Sequence, residues 1–144
     1  MSRSSLRVLT KSETKIGDGF LLAMEQAGRD DVEVIVRDDA LKPDVGKRLS
    51  NEMIQREGVE ILTGIIFSNV AMAVVPPVVR QGLFYLSVNA GPSQLAGRGC
   101  LDDYFNVAWQ DDDLHHAMGG HVAAEGFGKL FILAPNYPTG TAAL

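Results

Sequence analysis

The chain has 144 residues, of which 46% are hydrophobic and 22% charged, and its 13 basic and 18 acidic residues give a net charge of −5. This composition is that of a globular domain, and it excludes a disordered tail, a collagen-like rod and a disulfide-built miniprotein. The acidic balance argues against a nucleic-acid partner, because nucleic-acid binding requires a concentrated basic face. Cys100 is the single cysteine, so no intrachain disulfide is expected.

Residues 1–10 lack the apolar stretch of a secretory signal, and no apolar run of 18 residues predicts a transmembrane helix. We therefore expect either a cytosolic protein or one whose signal precedes this numbering.

Predicted strands and helices alternate along the chain. Short apolar runs predict strands at residues 6–10, 32–36, 61–67, 83–88 and 130–134. Helical periodicity predicts helices at residues 17–27, 43–56, 70–80 and 113–125, the first two ending at Gly28 and Gly58. The pair Pro76-Pro77 should kink the third helix or displace its start. This order predicts an α/β fold, a parallel sheet with helices on both faces.

Two loops of the predicted sheet carry small polar residues at a point suited to ligand binding. Ligands of parallel sheets bind beyond the carboxyl ends of the strands, where Ser68-Asn69-Val70 and Asn89-Ala90-Gly91 follow neighbouring strands. The N–H groups of Val70, Ala71, Ala90 and Gly91 and the Ser68 hydroxyl would suit an anion at a helix start. A carboxylate fits this arrangement without an arginine. The alternative is that both loops are only capped turns.

Five ordered segments give the sequence a family resemblance. They are residues 34–39, 64–71, 82–95, 105–112 and 134–140. In this order the segments resemble the branched-chain amino-acid binding family, the type I solute-binding proteins of ABC importers. The resemblance runs from about Leu6 to the last residue and is greatest to the branch that includes aromatic-acid binders.

The resemblance implies a protein of two α/β lobes that closes on a small carboxylate and performs no chemistry, with no cofactor and no metal. The ligand-binding residues it implies are Ser68, Asn69, Val70, Asn89, Ala90, Gly91 and, from the second lobe, Tyr137. Phe67 and Trp109 are candidates for stacking on a ligand, with a role in the core as the alternative.

The resemblance also divides the chain into two parts. Residues 1–110 match an incomplete first lobe, and residues 111–144 match the hinge crossing with the first helix and strand of the second lobe. On this interpretation the chain stops before the second lobe is complete. A periplasmic location and ABC permease partners are implied. Apolar surface left uncovered predicts a homodimer, with residues 113–144 as a segment that two chains could exchange.

A second class of function stays open, in which the chain is a small flavodoxin-like domain, an enzyme or a phospho-acceptor, that uses Asp38 and Asp39. Residues 15–20 lack the full pattern of a phosphate-binding loop. One predicted helix carries four residues that could suit a metal but that lack a metal-binding motif: His115, His116, His121 and Glu125.

Overall fold

The computed structural model describes residues 8–9, 14–136 and 140. In chain order the elements are β1 (Val8–Leu9), α1 (Thr14–Gln26), β2 (Val36–Arg37), α2 (Pro43–Glu57), β3 (Ile61–Thr63), α3 (Ser68–Val79), β4 (Phe84–Ser87), β5 (Tyr104–Asn106) and α4 (Asp113–Ala124). Two 3₁₀ turns, Ser93–Leu95 and Gly97–Gly99, lie between β4 and β5. The alternation of strand and helix confirms the predicted α/β fold. Within these described residues no helix is long and apolar enough to cross a membrane.

Every strand pairing in the described part of the chain is parallel. Val8 of β1 pairs with Val36 of β2, Leu62 of β3 with Tyr85 of β4, and Leu86 of β4 with Phe105 of β5. Hydrogen bonds join the strands into two groups, β1-β2 and β3-β4-β5. Because β1 also lies beside β3, the spatial order of the strands is β2-β1-β3-β4-β5. This order is one of the common arrangements of doubly wound α/β folds. It places the loops after β3 and β4 side by side at one edge of the sheet.

The core lies between the sheet and the helices α2 and α3, which pack against each other. Met53 of α2 and Val74 of α3 are fully buried, as are Leu62 and Tyr85 of the sheet. The two helices approach closely at Gly46, since a Cβ atom built there would lie 2.8 Å from Cγ1 of Val70. The buried hydrophobic residues are Met53, Val59, Leu62, Ile65, Val70, Ala71, Val74, Val75, Val78, Tyr85, Ala90 and Leu95.

Two helix ends differ in how well the sequence predicted them. The predicted stop at Gly58 is confirmed, because Gly58 is in the left-handed region with φ 65° and its N–H donates to the carbonyl of Met53. The prediction that Pro76-Pro77 displaces the start of α3 is wrong. The helix begins at Ser68 and continues through both prolines to Val79. Both prolines lie in the last turn of α3, where each lacks the N–H that would donate to the preceding turn. Only two helical residues follow them, so the helix loses few hydrogen bonds.

The strand predicted at residues 130–134 is also wrong. Residues 127–135 have no regular secondary structure, and Phe131 and Leu133 are 91% and 89% exposed. A strand requires a hydrogen-bonded neighbour, and no described strand pairs with this segment. Conversely, the predictions lacked β5, a strand of three residues.

Candidate functional site

Ser68 stands at the junction between β3 and α3. It is the first residue of the helix, follows an extended Phe67 and is 2% exposed. Its hydroxyl donates a hydrogen bond to Oδ2 of Asp111 over 2.5 Å, although the two residues are 43 positions apart in the sequence. The Ser68 side chain therefore points at the segment that follows β5 and precedes α4.

Gly91 stands in the neighbouring loop, after β4, and contacts the same aspartate. Its N–H donates to Oδ1 of Asp111 over 3.2 Å, and its carbonyl accepts from the Asp111 N–H over 2.8 Å. A Cβ atom at this position would lie 2.1 Å from the carbonyl oxygen of Trp109. Only glycine therefore permits the close approach of the two backbone segments.

The loops after β3 and β4 thus converge on one carboxylate, whose Oδ2 accepts from Ser68 of the first loop and whose Oδ1 accepts from Gly91 of the second. The sequence predicted that these loops lie side by side and that they would suit a carboxylate. It did not predict that the carboxylate is a side chain of the same chain. No local pattern could have indicated this contact, because the position of Asp111 depends on the order of the strands.

Two of the predicted donors are engaged inside α3. The N–H groups of Val70 and Ala71 both donate to the carbonyl of Phe67 over 3.0 Å, and both residues are fully buried in the core. The expectation that these N–H groups face an anion is therefore wrong for this structure, because the first turn of the helix closes on Phe67 instead. Asn69 places a buried Oδ1 atom here without a hydrogen-bond partner among the described residues.

Ala90 lies in the loop that follows β4, and its carbonyl and its N–H differ in their hydrogen bonds. The carbonyl accepts from the hydroxyls of Ser87 and Tyr104. The Ala90 N–H donates to no described residue, although the residue is 2% exposed. Burial raises the pKa of Tyr104, a hydrogen bond with Ser87 lowers it, and the charge of Asp111 raises it further. The Tyr104 hydroxyl therefore remains protonated and can donate.

The candidate stacking residues have different environments. Trp109 is 75% exposed and lines a pocket of about 400 Å³ together with Asn89, Val88, Val107 and Ala108. Phe67 packs against the hydrophobic core. Tyr137 lies outside the described residues. Of the two candidate stacking residues, Trp109 is thus the one whose side chain is exposed.

A second pocket, of about 350 Å³, is lined in part by Gly91. Its wall includes Pro92, Tyr104, Asn106 and Gln110. Both pockets include Ala108 in their lining, so both lie beside the segment that leads to Asp111.

A third pocket, of about 550 Å³, lies between α4 and the irregular segment after it. Met118 and Val122 of the helix face Phe131, Ile132 and Leu133. Its wall is mostly apolar, and the sequence analysis did not predict it.

The alternative site at Asp38 and Asp39 has a structural explanation. Asp38 accepts from the N–H of Ala40, and Asp39 accepts from the N–H of Leu41, each over 2.8 Å. Ala40 and Leu41 have positive φ angles of 51° and 59°, so the two carboxylates stabilise a turn that few non-glycine residues adopt. Asp39 is 1% exposed and therefore closed to a phosphoryl donor.

The histidines of α4 lie at both of its ends, His115 and His116 in the first turn and His121 in the last. His116 and His121 are exposed. Across the described ranges, no three His, Cys, Asp or Glu side chains form a group that could hold a metal ion.

A family model described as periplasmic binding protein matches residues 10–144. The chain belongs to the periplasmic binding protein family. The resemblance predicted from the sequence is confirmed by this match and by the solved structures with the same fold. A search of curated proteins gives no significant match.

Solved structures of this family match nearly the whole chain. A solute-binding protein of an ABC transporter from R. palustris, in complex with benzoate, is 22% identical with a TM-score of 0.87, over 100% of this chain and 43% of its own. A second one from R. palustris, in complex with 4-hydroxybenzoate, is 20% identical with a TM-score of 0.83, over 96% of this chain and 40% of its own.

The leucine binding protein LivK from Thermotoga maritima is 17% identical with a TM-score of 0.71, over 84% of this chain and 37% of its own. At such identities the likeness establishes the fold. The chain spans about two fifths of the length of the periplasmic binding proteins that it matches.

Proposed function

We propose that this chain provides the carboxylate-holding lobe of a solute-binding protein of an ABC importer. The observation that carries the proposal is the convergence of the Ser68 hydroxyl and the Gly91 N–H on one carboxylate. The proposal assigns the ligand's carboxylate to Ser68, Asn69, Asn89, Ala90 and Gly91, and it leaves out Val70, whose N–H donates to the carbonyl of Phe67. It also assigns Tyr137 to the ligand, from the part of the chain beyond α4.

Neutral donors are sufficient for such a ligand. Hydrogen bonds from neutral donors to a carboxylate are short and roughly twice as strong as those between neutral groups. Ser68 and Gly91 supply two such donors. The N–H of Ala90, which donates to no described residue, is a third donor and lies in the same loop as Gly91. Burial of the site strengthens each bond, because water competes less there.

The proposed ligand is a small acid with an apolar body, such as a branched-chain amino acid or an aromatic acid. The exposed Trp109 offers an aromatic face in a pocket of about 400 Å³, which Asn89 of the loop after β4 also lines. The relatives that were solved with benzoate and 4-hydroxybenzoate, and the leucine binding protein, support this class.

The family supports three further proposals about the whole protein. These are a periplasmic location, ABC permease subunits as partners, and a division of the chain at residues 110–111 between the first lobe and the crossing to the second. A homodimer of the 144-residue chain is a fourth proposal, and it rests on the exposed apolar segment after α4.

The binding test compares acids with an uncharged analogue. Benzoate, 4-hydroxybenzoate and leucine are titrated into the protein by calorimetry, with benzyl alcohol as the analogue that lacks the carboxylate. We expect at least one acid to bind and benzyl alcohol not to bind. No binding of any acid would contradict the proposal.

Ser68→Ala locates the site. We expect the variant to bind the acid roughly 2- to 12-fold more weakly, which corresponds to about 0.5–1.5 kcal/mol for one hydrogen bond. The lost binding free energy is smaller than the value of one charge-assisted hydrogen bond. The reason is that the substitution also removes the Ser68–Asp111 hydrogen bond from the ligand-free protein. Ser50→Ala is the matched control, since Ser50 is also buried but its hydroxyl donates to Lys47 inside α2. An equal loss in both variants would mean that Ser68 does not contact the ligand.

A further inference from the structure

Asp111 already occupies the donors that the proposed ligand needs. Its Oδ2 accepts from the Ser68 hydroxyl over 2.5 Å, and its Oδ1 accepts from the Gly91 N–H over 3.2 Å. The Asp111 N–H donates back to the Gly91 carbonyl over 2.8 Å, which fixes the backbone from which this side chain extends. The aspartate therefore binds the two loops as the carboxylate of a ligand would.

Each of these donors can serve one carboxylate only. A serine hydroxyl has a single hydrogen to donate, and so does a backbone N–H. A second carboxylate at the same place would also meet the negative charge of Asp111 at close range. Ligand and Asp111 therefore exclude each other at Ser68 and Gly91.

We propose that Asp111 is an internal competitor that sets the affinity and specificity of the site, so that a ligand carboxylate binds only by displacing it. This inference rests on the proposed function. The apparent affinity for an acid is then the intrinsic affinity reduced by the fraction of molecules in which Ser68 and Gly91 are free. A ligand without a carboxylate gains nothing from the displacement, so the competitor also selects against it.

Asp111→Asn tests the inference with a side chain of the same size. The amide has no charge, and its NH₂ group cannot accept from the second donor, so it holds the two loops less tightly. We expect the Kd for benzoate, or for whichever acid binds the wild type, to fall by about tenfold. Benzyl alcohol should still not bind the variant, because it has no carboxylate for Ser68 and Gly91 to hold.

Asp113→Asn is the matched control. Asp113 lies two residues further on, and its carboxylate accepts from the Gln110 N–H rather than from either loop. The variant removes the same charge and leaves Asp111 in place, so we expect a change in Kd of less than about threefold, as for a screened charge at a distance. Equal tightening in both variants would assign the effect to net charge and overturn the inference.

A measurement on the wild-type protein avoids the question of whether a variant folds. The ¹³C resonance of the Asp111 side-chain carboxyl should move during titration with the acid, because that group exchanges Ser68 and Gly91 for water. A stationary resonance while the acid binds would overturn the inference.

The outcomes separate the inference from the proposed function. If the wild type binds an acid and Asp111→Asn binds it no more tightly, Asp111 is not a competitor and the proposed function stands. If neither the wild type nor Asp111→Asn binds any acid, the proposed function fails and this inference fails with it.

Discussion

At Gly91 the loop after β4 and the segment before α4 approach each other closely. A Cβ atom there would meet the carbonyl oxygen of Trp109 at 2.1 Å and the side chain of Asn106 at 2.7 Å. The nearest of these atoms belongs to the backbone, so a rotamer change cannot relieve the contact. Because residue 91 is a glycine, the segment before α4 packs close enough for Asp111 to accept a hydrogen bond from Ser68.

Gly91→Ala should destabilise the fold by about 1–3 kcal/mol, the range for an overpacked site. Gly119→Ala is the control, because a Cβ atom at this position of α4 meets no atom within 4 Å. Alanine there should stabilise the helix by about 0.5–1 kcal/mol. Urea unfolding of both variants measures the difference. A neutral Gly91→Ala would show that the Trp109 segment does not pack against this loop.

The residues of the site could be predicted from the sequence only in part. The position of Ser68 and Gly91 followed from the rule that loops after parallel strands meet at one edge. Their partner Asp111 could not be predicted, since it is 43 residues from Ser68 and no periodicity connects them. The prediction also gave Gly91 a different neighbour, the ligand, where the structure places the Trp109 carbonyl.

The helices were easier to predict than the strands. The helix at 43–56 and its stop at Gly58 follow from a repeating pattern and from a residue that adopts a positive φ. Strands depend on their neighbours instead. Tyr104–Asn106 pairs with β4 despite a short and mixed sequence. Residues 130–134 have a strand-like sequence, but no described strand pairs with them.

The segment after α4 should cause the 144-residue chain to self-associate. Phe131 and Leu133 are almost fully exposed, and Leu114 and Met118 of α4 are more than 60% exposed beside them. Exposed apolar patches and unpaired strand-like segments favour association. Light scattering at rising concentration should show twice the 15.5-kDa mass of one chain.

Serine substitutions locate the interface. Phe131→Ser together with Leu133→Ser should return the chain to a monomer. The matched control replaces Leu21 and Leu22, which are 49% and 53% exposed on α1, and should leave association unchanged. A wild type that is monomeric at every concentration would contradict the expectation.

On the scale of the whole molecule, the sheet order determines what the described residues can do. The order β2-β1-β3-β4-β5 brings two donor-bearing loops together, and β5 returns the chain so that Asp111 reaches both. The chain that carries this arrangement belongs to the periplasmic binding protein family, whose model matches residues 10–144. The central claim is that a small acid binds where these three segments meet.

Amide chemical shifts of the ¹⁵N-labelled chain test that claim most directly, because each backbone N–H is a separate probe. On titration with benzoate, 4-hydroxybenzoate or leucine, we expect the largest changes at Ser68, Ala90, Gly91 and Asp111, with smaller ones at Trp109. Residues of the pocket after α4, such as Met118 and Ile132, should not move. Changes confined to that pocket, or no change with any of the three acids, would contradict the account.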